Sequence, residues 1–331
     1  MTGAQATMGG RSGPSGSGLM RTLRERPVLP LLGLLAILMI AFVLLNPRAN
    51  VSDWFGATLR AAVPLAILAG CQTIAMLTGG IDLSVAATAS MAAFVTASLL
   101  DSLGLPLSIA VSLLIAVLVG VINGIGIGVF RVHPLIMTLG MGLVVFGASN
   151  AWQLLTVRTS SGVPPEIRWI GSTTVVGFLP ASLLVFVPIA AIIMLGLRRT
   201  GYGRLLYAIG DNPIAARLSG ARSWQVLVVL YVISALLAAI AGFLISGFSN
   251  VASVTLGDTY LLPSVAAAVI GGTSIFGGRG GYGGTIVGAL ILTVATSLLF
   301  SVGFPEAVRQ ILFGLIIVLV AAGYARVTGE T

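Results

Sequence analysis

The stretch VLPLLGLLAILMIAFVLL, Val28 to Leu45, decides the fold class. It holds no charged side chain, and as a helix rising 1.5 Å per residue it comes close to the roughly 30 Å of hydrocarbon in a bilayer. Arg21, Arg24 and Arg26 stand before it, and no small-residue cleavage site follows it. That combination predicts a retained membrane anchor and not a removed signal peptide. The rest of the chain agrees, with 57% hydrophobic and 8% charged residues and a mean hydropathy of +1.09. One soluble core could not hide that much apolar surface, so the sequence predicts an all-α polytopic membrane protein.

Taking about 20 apolar residues per crossing, hydropathy marks about ten helices, some broken by glycine-rich stretches. They lie near 28–46, 58–78, 83–100, 106–128, 134–156, 180–197, 224–247, 261–276, 284–301 and 306–323. All 17 basic residues are arginine. If the N-terminus is cytoplasmic, only Arg48, Arg60, Arg158, Arg168 and Arg309 fall outside, which leaves 12 of the 17 inside. This asymmetry predicts that both termini are cytoplasmic. Residues 1–27 read as a flexible cytoplasmic tail, 28–323 as the transmembrane domain with its longest inside loop at 198–223, and 324–331 as a second tail. The net charge of +8 then describes loops at a lipid surface, without the basic stripe that would point to nucleic acid. The single Cys71 sits in an apolar run and reads as a packing residue.

Within the inside loop, AIGDNPIAARLSG, Ala208 to Gly220, reads as a short capped helix. Asn212 is placed to cap the N-terminus, Pro213 suits the first helical position, and Gly220 supplies the left-handed residue that ends it. About seven helical residues cover roughly 10 Å, too little to cross a membrane and too little to be stable alone. Ile214 and Leu218, four apart, share a face, with Ala215 and Ala216 beside them. An apolar knob is therefore presented toward the cytoplasm, as a peg for a partner or as a helix lying on lipid head groups.

Two further stretches break the apolar pattern. In TGGIDLSV, Thr78 to Val85, Gly79 and Gly80 permit unusual backbone angles and Asp82 is placed to accept from the N–H of Ser84 or Val85. An ionisable group there must be capped, paired or wet. Gln72, Thr78, Gly79, Gly80, Asp82, Ser84 and Asn123 are candidates for a solute pathway or gate, with helix capping and interhelical hydrogen bonding as the plainer roles. In GGTSIFGGRGGYGG, Gly271 to Gly284, the glycines resemble a phosphate loop superficially, but a chain with no lysine cannot complete one. Gly271, Gly272 and Thr273 join the pathway candidates, and Arg279 marks a cytoplasmic end. His133 is the only histidine and has no paired ligand, so neither a metal site nor a catalytic constellation is expected.

GYGRLLYAIGDNPIAARLSG, TGGIDLSV and IGGTSIFGGRGGYGGTIVGA resemble, in matching order, three signatures of the ribose-type permease subunits of ABC sugar importers. The resemblance implies that Gly203, Arg204, Tyr207, Gly210 and Asn212, Pro213, Ile214, Ala215, Ala216, Arg217, Leu218, Ser219, Gly220 form the loop that couples to an ATPase. It also implies P-loop ATPase partners that bind ATP and Mg, an extracytoplasmic solute-binding protein, a second permease copy, and a bacterial plasma membrane. The expected cargo is a monosaccharide, with nucleosides or branched-chain amino acids as alternatives. An ion-coupled secondary transporter is the reading from another class. The scarcity of acids in the spans weighs against it.

Overall fold

The computed structural model describes residues 28–156 and 162–305, together with 307, 308, 310–312, 314, 315 and 318. The expected tails at 1–27 and 324–331, and much of the last expected span, lie outside the described residues. Among the described residues up to 305, eleven α-helices follow in chain order: α1 (Val28–Leu45), α2 (Val51–Met76), α3 (Val85–Gly128), α4 (Pro134–Thr156), α5 (Pro165–Ser172), α6 (Leu183–Arg199), α7 (Gly201–Asp211), α8 (Pro213–Leu218), α9 (Ser223–Ser249), α10 (Leu261–Ile270) and α11 (Tyr282–Ser301). A two-stranded antiparallel hairpin, β1 (Thr174–Val176) and β2 (Leu179–Pro180), interrupts them between α5 and α6. The protein is therefore all-α and polytopic apart from this small hairpin. Among the described residues, six helices are long and apolar enough to cross a membrane, or seven if the pair α6 and α7, bent by 69°, counts as one.

The 44 residues of α3 would run about 66 Å if straight, twice a bilayer. They are not straight. Gly104 leaves the helical region at φ 69 and ψ 166, two residues before Pro106. The Thr96 and Ser112 hydroxyls, 16 residues apart, then come to 2.7 Å, and Asn123 reaches the Ser84 hydroxyl at 2.9 Å. The two halves lie side by side as a helical hairpin, which corresponds to the two spans read at 83–100 and 106–128.

α2 is the central helix, with every residue from Ala62 to Met76 buried. A helix that is covered all round needs neighbours on every side, and α6, α9, α10 and α11 supply them. The second half of α3 and α9 meet through glycine. A Cβ on Gly120, Gly124 or Gly128 would strike the backbone of Val232, Val228 and Trp224 in turn. Glycine four apart on one helix thus matches residues four apart on its antiparallel neighbour, and the backbones approach as closely as small-residue packing allows.

Candidate functional site

Within Ala208–Gly220 the structure holds the short helix where the sequence placed it, after Asn212 and Pro213, and adds that Ala208–Asp211 finish a separate helix, α7. Thr200 starts α7, its hydroxyl oxygen accepting from the Gly203 N–H at 3.1 Å. At Asn212 the chain turns to extended angles, φ −151 and ψ 97. The Asn212 side-chain oxygen then accepts from the N–H groups of Ile214 and Ala215 at 3.1 and 2.9 Å and caps α8. Pro213 occupies the first turn, and Gly220, at φ 86, turns the chain toward α9. Ala216 is the buried side of α8, whereas Ile214 is 63% exposed and Leu218 85%. Ser219 donates to Ala215, and Arg217 to the Pro213 carbonyl, so these two polar side chains serve the helix itself.

The three motifs, far apart in sequence, meet at one junction. A Cβ on Gly210 would overlap the Leu77 carbonyl oxygen and stand 2.5 Å from the Gly278 nitrogen. The Gly278 N–H donates to that same Leu77 carbonyl at 3.0 Å. Gly277 lies against Gly210, and both Gly277 and Gly278 have left-handed φ values, 96 and 68, that side chains resist. Backbone therefore touches backbone with no side chain between. Nearby, Gly79 packs on the Phe276 carbonyl, and the Tyr207 hydroxyl donates to the Gly280 carbonyl at 3.0 Å. Arg204 is exposed one turn before Tyr207.

Behind this junction the 78–84 turn carries a buried polar network. Asp82 is 1% exposed. One carboxylate oxygen accepts from the Ser84 N–H at 3.0 Å and the Ser84 hydroxyl at 2.6 Å, and the other accepts from the Ser234 hydroxyl at 2.7 Å. Gln72 clamps the Asp82 backbone on both sides, donating to its carbonyl at 2.8 Å and accepting from its N–H at 3.2 Å. Thr138 does the same for the Ile81 carbonyl and the Leu83 N–H. Asn123 donates to Ser84, and Gln72 also reaches Ser264. Ser234 stands ten residues beyond Trp224 on α9, about 15 Å along the axis, so the carboxylate is level with the middle of that helix.

The remaining candidates sit close by. Thr78 turns its hydroxyl to the Ala75 carbonyl. Gly80 faces Pro134 and the Tyr231 hydroxyl, either of which a side chain there would crowd. Gly271 packs on the backbone of Gly284 and Thr285, Gly272 turns at φ 87, and the buried Thr273 hydroxyl lies 3.5 Å from that of Thr285. Gln72, Asp82, Ser84, Asn123 and Thr273 are all buried in this conformation.

Sequence reading missed the partners that complete these sites. Leu77 and Gly278 contribute main-chain atoms, which carry no signature. Ser234 did carry one, since it is a polar residue in the apolar run of α9 and a polar group inside a span needs a partner. The Tyr231 hydroxyl and the Asn123 side-chain oxygen are buried beside the network and have no hydrogen-bond partner among the described residues.

A basic loop joining a bent helix, a glycine junction and a recessed carboxylate is an arrangement suited to passing movement from a surface loop into a helix bundle. Comparison with known proteins decides the family. A profile of the branched-chain amino acid transport system / permease component family matches residues 55–321. The chain belongs to that family. This permease is 31% identical to the fructose import permease protein of Rhizobium meliloti, over 92% of this chain and 87% of that one. It is 34% identical to the ribose import permease protein of Bacillus subtilis, over 88% and 90% of the two chains. The galactofuranose transporter permease protein of Escherichia coli is 31% identical over 79% of this permease and 76% of its own length. No solved structure matches.

Proposed function

We propose that this permease is the membrane-spanning subunit of an ATP-binding-cassette importer for a monosaccharide. The sugar cargo rests on the fructose, galactofuranose and ribose permeases it resembles over most of its length. The family's own description names branched-chain amino acids, and that is the second cargo to test. The observation that carries the mechanism is the contact of Gly210 with Leu77 and Gly278. In this reading the exposed Ile214 and Leu218 seat α8 in a partner ATPase, which binds ATP and Mg. Closure of the ATPase pair pushes α8, and with it α7. Because Gly210 has no side chain to yield, the displacement passes directly to the end of α2 and to the glycine loop 271–281.

The 78–84 turn with Asp82, and the Gly271–Thr273 turn, then serve as gate elements whose rearrangement exposes Gln72, Asn123 and their neighbours to solute. A solute-binding protein delivers cargo to the face carrying α5 and the β-hairpin, and a second permease copy completes the pathway. The loop face, with Arg131, Arg198, Arg199, Arg204, Arg217, Arg222 and Arg279, is cytoplasmic in a bacterial plasma membrane. Ten crossings follow if α3 counts as two, α6 and α10 as one each, and residues 306–323 as the last.

The test is uptake of labelled fructose, ribose, galactofuranose and leucine by cells expressing this permease with its candidate ATPase and binding protein. Sugar uptake that stops on Ile214→Asp, with the protein still in the membrane, supports the reading. Transport by the purified permease alone in proton- or sodium-loaded vesicles would replace it with the ion-coupled one.

A further inference from the structure

The loop face carries a concavity beside the glycine junction, with Gly210 in its wall and the exposed Ile214 and Leu218 of α8 outside it. It is a cleft of about 500 Å³ between α7 and α8 on one side and the ends of α3, α4 and α9 on the other. Arg131, Arg217 and Arg222 line it, and among the described residues no acidic one does. All three arginines are exposed. Among the described residues the Arg131 and Arg222 side chains have neither a hydrogen bond nor an ion pair. Three guanidinium groups gathered without a counter-charge repel one another, and an anion in the cleft would relieve that repulsion. Arg131 sits there on a left-handed backbone, φ 57, which side-chain-bearing residues adopt infrequently.

The walls between the arginines are apolar, formed by Ile127, Trp224, Leu227 and Phe276. Charged rim and apolar wall together fit an amphiphile better than a free inorganic anion. Depth argues the same way. Trp224 is 47% exposed and Phe130, next to Arg131, 74% exposed, at the ends of the apolar helices α9 and α3. Large aromatic side chains at helix ends mark the water–lipid boundary, and a basic pocket between helix ends at that level meets lipid head groups.

We propose that this cleft binds the head group of an anionic phospholipid of the leaflet on the loop face. Arg131 and Arg222 hold the phosphate in bidentate or paired hydrogen bonds, and the top of the acyl chain lies against Trp224 and Leu227. The lipid would then stand directly beneath α8 and support the loop from the membrane side.

The measurement needs neither ATPase nor solute, so it is independent of the transport reading. The full chain is placed in nanodiscs of phosphatidylcholine with a minority of phosphatidylglycerol. Lipid retained after partial delipidation is counted by mass spectrometry, and the thermal midpoint is compared with that in pure phosphatidylcholine. Phosphatidylglycerol should be enriched in the retained lipid and should raise the midpoint. Arg131→Gln and Arg222→Gln should each reduce the enrichment about fivefold, and Arg199→Gln, outside the cleft, should leave it unchanged. Equal enrichment in the double variant would overturn the proposal. So would equal stabilisation by inorganic phosphate in pure phosphatidylcholine, which would assign a soluble anion, or by an acidic peptide, which would assign a protein partner. Should the backbone at position 131 fail to tolerate glutamine, Arg222→Gln reads the same outcome alone.

Discussion

Gly210 and Leu77 touch main chain to main chain, and the Leu77 carbonyl is at the same time the acceptor for the Gly278 N–H. One carbonyl therefore ties α7, the end of α2 and the glycine loop together. Gly210→Ala would place a methyl group in the space of that oxygen, and overpacking of a tight contact typically costs about 1–3 kcal/mol. Uptake should fall sharply while the protein still reaches the membrane, as measured by transport and by quantitative blot. Gly196→Ala is the control, because nothing lies within 4 Å of a side chain there. Normal uptake by Gly210→Ala would remove the junction from the mechanism.

Ile214 and Leu218 are exposed on α8, so polar replacement costs the isolated permease almost no burial. Ile214→Asp should keep the thermal midpoint within the spread of the unmodified protein and yet lose co-purification of the ATPase. A variant that destabilises the permease itself would instead place α8 against lipid.

Asp82 distinguishes two readings of the buried network. Asp82→Asn keeps one oxygen for the Ser84 donors and leaves a neutral amide next to Ser234, whose hydroxyl can turn to accept. Asp82→Ala strands these buried groups. Asparagine should therefore preserve folding and much of the uptake, while alanine lowers stability. Ser234→Ala should cost about 1.5–3 kcal/mol, the range for a hydrogen bond to a charged group. Thermal denaturation in detergent measures both. Abolished uptake by Asp82→Asn, with stability unchanged, would show that the charge itself is needed and would favour ion coupling.

The hairpin form of α3 is open to chemical test. Cysteines replacing Thr96 and Ser112, whose oxygens stand 2.7 Å apart, should form a disulfide on mild oxidation, seen as a mobility shift reversed by reductant. The natural Cys71 is buried and should not interfere. A pair that never cross-links would mean that α3 does not fold back at Gly104.

Composition and hydropathy determined the membrane setting, because the need to satisfy every backbone group in lipid leaves helix as the only form for such apolar runs. Local chemistry determined the ends of α8, since the Asn212 cap, Pro213 and Gly220 act through neighbours one to four residues away. The break in α3 was legible as a gap between two apolar runs. What only the tertiary structure decided is where these pieces meet. The start of α8 at Asn212 was legible, but not that Gly201–Asp211 form a separate helix running up to it. Leu77 offers a carbonyl, which every residue has, so nothing in its side chain announced that Gly210 and Gly278 converge on it. Asp82 was visibly in need of partners, yet Ser234 lies 152 residues away. Contacts made by main chain, or across that sequence distance, leave no local pattern; they exist only once the helices have packed.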